Sequence, residues 1–134
     1  MIDHVSVAVR DLAKAEPFYT ALLAPLGLRK LREWPNAAIG FGKKYPEFWI
    51  NWRVAMARVA DDSGVHICLR ATDTRAVEDF HAAALKSGGT SDGAPGPRTE
   101  YHSSYYAAFV RDPDGNRIEA VTFLREADNS PGRE

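Results

Sequence analysis

Three residues carry the most distinctive chemistry this sequence offers: His4, His66 and Glu119. Imidazole nitrogen and carboxylate oxygen bind divalent first-row metals, and both groups also move protons. Glu119 follows the run Asp112-Pro113-Asp114-Gly115-Asn116, which is dense in turn formers. Proline presets φ, glycine accepts positive φ, and Asp and Asn side chains bond their own backbone. The flanking segments 105–111 and 117–124 are rich in β-branched and aromatic residues, so the run reads as a hairpin between two strands. Alternation along the second strand puts Glu119, Val121 and Phe123 on one face and Ile118, Ala120 and Thr122 on the other. An acid level with two apolar neighbours needs compensation, either by a surface ion pair or by a metal or proton-transfer role.

Other residues suit a site around such a group. His102 and Tyr106 are the candidates for catalysis: an imidazole with an ordinary pKa near ~6.5 suits proton transfer, and a tyrosine hydroxyl can donate a hydrogen bond to substrate. Tyr101 and Tyr105 either line a pocket with Tyr106 or fill a sheet. Trp49, Trp52, Phe41 and Phe109 supply either apolar pocket wall or core. Arg53, Arg70 and Arg98 are candidates for holding an anionic substrate. His81 falls on a helical pattern and reads as a solvated or partly buried helix residue. Cys68 is the single cysteine, cannot form an internal disulfide, and is expected to be a small buried residue with no nucleophilic role.

Positioning these groups requires strands at both ends of a repeated unit. Residues 2–9 alternate, with Ile2, His4, Ser6 and Ala8 on one face and Val5, Val7 and Val9 on the other. Asp11 then stands as an N-cap before Leu12, Ala15, Phe18, Tyr19, Leu22 and Leu23, which recur at helical spacing up to Pro25 and Gly27. Pro17 should bend that helix or restrict its first turns. Three extended segments follow at 28–34, 37–41 and 47–54, and 55–64 is a polar connector. The order then starts again. A strand at 65–71 carries His66, Cys68 and Arg70 on one face; Asp73 precedes a second helical pattern closed by Gly88-Gly89. Offsetting the chain so that His4 falls on His66 also matches Val5 with Ile67, Asp11 with Asp73, Phe18 with Phe80 and Gly27 with Gly89. Residues 90–104, with glycine, proline and no periodicity, read as a long loop or a short strand with a flexible lead.

The expected fold is therefore α+β: two tandem βαβββ modules, 1–56 and 64–124, forming one domain over 1–124 with a curved mixed sheet around a cleft and a flexible tail at 125–134. The 134 residues, 45% hydrophobic and 26% charged, suffice for one globular core. With a net charge of −1 and no basic stripe, nucleic acid and membrane are poor partners, and a small molecule is the expected one. No stretch approaches the ~18 apolar residues of a membrane span, and a cytoplasmic location is the default expectation.

If equivalent faces of the two modules meet, His4 and His66 become neighbours and Glu119 joins them. Two imidazoles and one carboxylate with open positions suit a divalent metal ion: Fe, Mn, Zn, Ni or Co. The histidines sit on the faces opposite the Val-rich rows that receive the helices, as ligands must.

The tandem βαβββ pattern, the openings Ile2-Asp3-His4-Val5 and Val65-His66-Ile67, and the closing Asp112-Pro113-Asp114-Gly115-Asn116-Arg117-Ile118-Glu119 together resemble the vicinal oxygen chelate superfamily. That superfamily holds glyoxalase I, bleomycin-resistance proteins and extradiol dioxygenases. The resemblance implies metal ligands at His4, His66 and Glu119, a homodimer, and a substrate with vicinal oxygens. The place where glyoxalase I carries a fourth, carboxylate ligand is occupied by Trp49, which points toward the three-ligand dioxygenase type. Two functional expectations follow: a metal-dependent dioxygenase, lyase or isomerase, or a metal-free small-molecule-binding protein of the bleomycin-resistance type.

Overall fold

The computed structural model describes residues 1–125. Two units of the same design follow one another. The first is β1 (Val5–Val9), α1 (Leu12–Leu23), a 3-10 turn at Ala24–Leu26, β2 (Arg29–Trp34), β3 (Ala38–Gly42) and β4 (Pro46–Trp52). The second is β5 (Ile67–Arg70), α2 (Thr74–Lys86), β6 (Thr90–Pro97), β7 (Tyr105–Arg111) and β8 (Arg117–Phe123). Each forms a four-stranded mixed sheet, ordered β1-β4-β3-β2 and β5-β8-β7-β6, with the outer parallel pair β1·β4 repeated as β5·β8.

The repeat is visible in the helix caps. The Asp11 carboxylate accepts from Lys14 N at 3.1 Å and that of Asp73 from Ala76 N at 2.8 Å, each satisfying one otherwise orphaned amide. Helix α1 runs on through Pro17. An interior proline costs ~3 kcal/mol, but burying each of Phe18, Tyr19, Leu22 and Leu23 recovers ~1.5–3 kcal/mol, so packing decides. Gly27 adopts φ 82°, closing the turn that returns the chain to β2.

Residues 90–97 form an eight-residue strand. Its register against β7 slips at Ser91/Gly93 and again at Gly93/Gly96, which erases the period-2 signal in the sequence. As the edge strand it tolerates Pro95 and Pro97, whose missing N–H groups no neighbour requires.

The helices pack together, and Phe18, Tyr19 and Leu22 of α1 share one core with Val77, Phe80 and Ala84 of α2. The Asp112–Asn116 turn then clasps one unit to the other. Asp112 Oδ1 accepts from Asp114 N and Asn116 N at 2.9 and 2.8 Å, while its Oδ2 accepts from the fully buried Tyr19 hydroxyl at 2.5 Å. Asn116 Nδ2 donates to Ala8 O at 2.8 Å, and Arg10 Nε to Asp114 Oδ1 at 2.7 Å. The stretch expected to make a hairpin thus also joins the modules. Val5, Val7 and Val9 of β1, and Ile67 and Leu69 of β5, belong to or pack against the shared core. Ser6, Cys68 and Arg70, on the alternate positions, are exposed.

Candidate metal centre

Glu119 sits in the middle of the second sheet, opposite Cys68 on β5 and Phe109 on β7. This register puts its side chain on the helix-free face. The carboxylate is 2% exposed, and both its oxygens are engaged: Oε1 lies 2.9 Å from His66 Nε2, and Oε2 accepts from the Tyr105 hydroxyl at 2.5 Å. His66 is half exposed, so the pair forms the floor of an open cleft with an imidazole reaching toward solvent. Burial, then the hydrogen bond to Glu119, raises the Tyr105 hydroxyl well above its ordinary pKa, which keeps it a donor.

Cys68 is exposed, contrary to the expectation of a buried residue, because the face it shares with His66 carries no helix. Its thiol nevertheless lies against Glu119 and Tyr105; desolvation and the adjacent carboxylate push its pKa up to about 12, so it is not a thiolate at neutral pH.

A cavity of about 360 Å³ opens beside His66, lined by Asp92, Arg98, Tyr101, Phe109 and Arg117. Of the expected pocket residues, Tyr101, Tyr105, Phe109 and Arg70 occupy this side of the sheet. Tyr101 meets Tyr105 edge to face, with ring centroids 5.1 Å apart, and Arg70 lies 5.0 Å over the Phe123 ring. His102 packs on the other partner of Tyr105, Phe123, at 6.1 Å, with Nδ1 accepting from Ser104 N at 3.0 Å. It stands at the rim, with Phe123 and Tyr105 between it and the carboxylate.

Three expected residues lie elsewhere. Tyr106 points to the opposite side of β7, where its hydroxyl donates to Glu78 of α2 at 2.8 Å. Strand alternation makes this unavoidable once Tyr105 faces Glu119. A cavity of about 590 Å³ adjoins Tyr106, but neither His66 nor Glu119 lines it. Arg53 lies just beyond β4 and donates to the Trp52 carbonyl at 2.8 Å, away from the second sheet. Trp49 lies on the first sheet beside His4, in a cleft of about 340 Å³ shared with Arg32, Trp34 and Tyr45.

His4 therefore does not join His66 and Glu119 within the chain, and among the described residues no three His, Cys, Asp or Glu side chains converge on a metal position. The physical reason lies in the packing: the modules meet through their helices and the Asp112 clasp, which leaves the helix-free faces apart. His4 is half exposed, and its Nδ1 bonds Asp3 Oδ1 at 2.8 Å, leaving Nε2 without a partner among the described residues. His81, the remaining histidine, is buried between α2 and β6, bonded to Ser91 Oγ at 2.8 Å; burial lowers its pKa. Asp92, Arg117, Trp34 and Tyr45 were not among the residues the sequence singled out. Alternation alone puts Arg117 level with Glu119, whereas Asp92, Trp34 and Tyr45 needed the register of β6 and the folding of the first sheet.

A pair of βαβββ units, each with one sheet face left free of helix and carrying a histidine near the start of its first strand, is the architecture of the glyoxalase group. Residues 1–120 match the model of the Glyoxalase/Bleomycin resistance protein/Dioxygenase superfamily, and the chain belongs to that superfamily. A probable lactoylglutathione lyase from Synechocystis is 32% identical over 130 residues, covering 88% of this chain and 92% of the relative. Another from Vibrio cholerae is 32% identical over 126 residues, covering 88% and 87%. Among solved structures, a glyoxalase/bleomycin resistance protein from Albidiferax ferrireducens superposes with a TM-score of 0.77 at 30% identity, over 90% of this chain and 97% of that one. A fosfomycin resistance protein from Mesorhizobium loti shares the fold at TM-score 0.66 and 18% identity, over 92% of each chain.

Proposed function

We propose that the chain is a divalent-metal-dependent enzyme acting on a small organic substrate with two neighbouring oxygens, and that its centre is completed between two copies of the chain. His66 and Glu119 come from one copy and His4 from the other. The observation that carries this reading is the His66 Nε2 to Glu119 Oε1 approach of 2.9 Å on a helix-free sheet face, with the carboxylate buried. A purely structural pair gains little there, because burying a carboxylate costs several kcal/mol that its partners only repay.

The donor set fits the group. Imidazole nitrogen and carboxylate oxygen suit Fe, Mn, Zn, Ni or Co. The Asp3–His4 bond has the form found behind metal-bound histidines, a carboxylate fixing Nδ1 while Nε2 faces out. Trp34, Tyr45 and Tyr101 are exposed aromatic side chains in the two half-sites, and a two-fold partner would cover both faces at once.

Bound there, a divalent ion supplies Lewis-acid polarisation of the substrate oxygens. Tyr105 holds the Glu119 carboxylate in one orientation through Oε2. Phe109 and Tyr101 supply apolar wall. His102 at the rim is placed to exchange protons with solvent. Trp49 fills the fourth ligand place: it pairs in register with Ser6 and Gly40, and its ring lies so close to Gly40 that an added Cβ would come within 2.9 Å of Cη2. A tryptophan there argues against the lactoylglutathione lyase activity named for the relatives and toward the three-ligand dioxygenase type.

Elemental analysis of protein purified without chelator tests the reading. We expect about one ion per chain in a dimer, lost in His4→Ala, His66→Ala and Glu119→Ala. Metal-free protein that cannot be loaded would overturn it and leave a small-molecule-binding protein.

A further inference from the structure

We infer that the cavity on the helix-bearing side of the second sheet is a binding site of its own, and that it takes a small organic ion with a primary ammonium group, held by Glu78, Asp73 and Thr122. Neither His66 nor Glu119 lines it, so it stands independently of the metal reading.

The cavity, of about 590 Å³, brings the first turns of α2 together with the start of β7 and the end of β8, where Tyr106 and Thr122 pair in register. Thr122 carries the argument. Only 5% of it is exposed, it lines the cavity, and its hydroxyl has no hydrogen-bond partner among the described residues. A hydroxyl withdrawn from bulk water and left unbonded is destabilising, so native structures answer it from protein, water or ligand. Here the only open side is the cavity, and whatever fills it meets Thr122.

The other polar groups decide what that is. Tyr106 donates its hydroxyl to Glu78 Oε2 at 2.8 Å, and burial, then this bond, raises the Tyr106 pKa, so the hydroxyl keeps its proton. Glu78 Oε1 has no hydrogen bond among the described residues. Asp73 spends Oδ1 on the amide of Ala76, which answers the positive end of α2 with a full negative charge, and its Oδ2 is likewise without a hydrogen bond. The single lining cation, Arg125, already has an interaction of its own. The wall therefore offers carboxylate oxygens in excess of donors, and two acids against one engaged base. A ligand that satisfies it must bring both N–H donors and positive charge, and an ammonium group brings three donors on one atom. The Tyr106 ring adds a face that attracts a cation, while Pro97 and Leu124 offer apolar wall for a short carbon chain.

The test uses chelator-treated full-length protein, so that an amine cannot bind through metal, with n-butylammonium and its neutral counterpart 1-butanol as the two probes at constant ionic strength. Binding is followed by the backbone amide NMR shifts of Thr74 and Thr122. We expect saturable shifts with n-butylammonium and binding of 1-butanol at least about tenfold weaker, the difference a charge-assisted contact makes. Glu78→Gln, which keeps an oxygen for Tyr106, should weaken the ammonium ion by about tenfold, and Thr122→Val by about threefold or more. Glu78 is exposed, so its variant keeps the test decisive if Thr122→Val fails to fold. No saturable shift, equal binding of 1-butanol, unchanged affinity in Glu78→Gln, or shifts centred on Cys68 and Glu119 instead would each overturn the inference.

Discussion

Mixing two inactive variants gives the sharpest test of a centre shared between chains. His4 belongs to the sheet β1-β4-β3-β2 and Glu119 to β5-β8-β7-β6, and the two do not meet in one chain. If the centre is shared as proposed, His4→Ala removes the donor that a chain lends to its partner, and Glu119→Ala removes one that it keeps for itself. Each variant alone forms dimers in which both sites are broken. Unfolded together in equal amounts and refolded, they pair at random, so about half of the dimers contain one chain of each kind. In such a dimer one site takes His4 from the Glu119→Ala chain and His66 with Glu119 from the His4→Ala chain, and is whole; the other lacks both donors. The expected metal content of the mixture is therefore about one quarter of the parent value, against near zero for either variant alone. Affinity tags of two kinds isolate the mixed dimers, whose content should rise to about one half. If mixed dimers form and hold no metal, the shared centre is refuted, since a centre built within one chain would be dead in every combination.

Tyr105→Phe removes the donor to Glu119 Oε2 and should weaken metal binding by about 10–100-fold in a chelator competition, the usual cost of losing the group that orients a ligand; unchanged affinity would refute the orienting role. Burial, against the hydrogen bonds of Tyr19 and Asn116, raises the Asp112 carboxyl above its ordinary value. The folded chain then keeps this proton at pH values where the unfolded chain has lost it, so the carboxyl's contribution to stability is greatest below the unfolded pKa of about 3.9 and declines as pH rises through the raised folded value. In urea titrations, the stability of the parent minus that of Asp112→Asn should accordingly fall as pH climbs out of the acid range; a rise would contradict the assignment. Tyr19→Phe, which leaves Asp112 Oδ2 only Asn116 Nδ2, should cost about 1–2 kcal/mol in the same assay, and no loss would mean the clasp is not a stabilising contact. Gly40→Ala puts a Cβ 2.9 Å from both Pro46 Cβ and Trp49 Cη2 and should destabilise by about 1–3 kcal/mol, read by thermal melting.

Much of the architecture was legible before any coordinates. The match of His4 with His66, the paired N-cap aspartates and the alternation around Glu119 are local features, governed by periods of 2 and 3.6 residues that survive in the chain itself. The exposure of Cys68, placed on the histidine face but expected to be buried there, and the side of β7 that Tyr106 takes were not legible. Both follow from parity once a register is known, yet parity has no sign until one residue is anchored, and the pairing of Phe109 with Glu119 is what anchors it. Strand β6 reads in the sequence only as a long loop or a short strand, because its bulges and edge prolines suppress the alternation that marks a strand.

The sequence by itself determined which residues are able to ligate, that they come from a duplicated unit, and that each stands on the side of its strand away from the helices. Only the tertiary structure decided where those sides face. Helix α1 packing on α2 and Asn116 gripping the Ala8 carbonyl lock the modules with their histidines on separate surfaces. Such contacts join residues about a hundred positions apart, and a one-dimensional pattern carries no trace of the geometry in which distant surfaces bury one another.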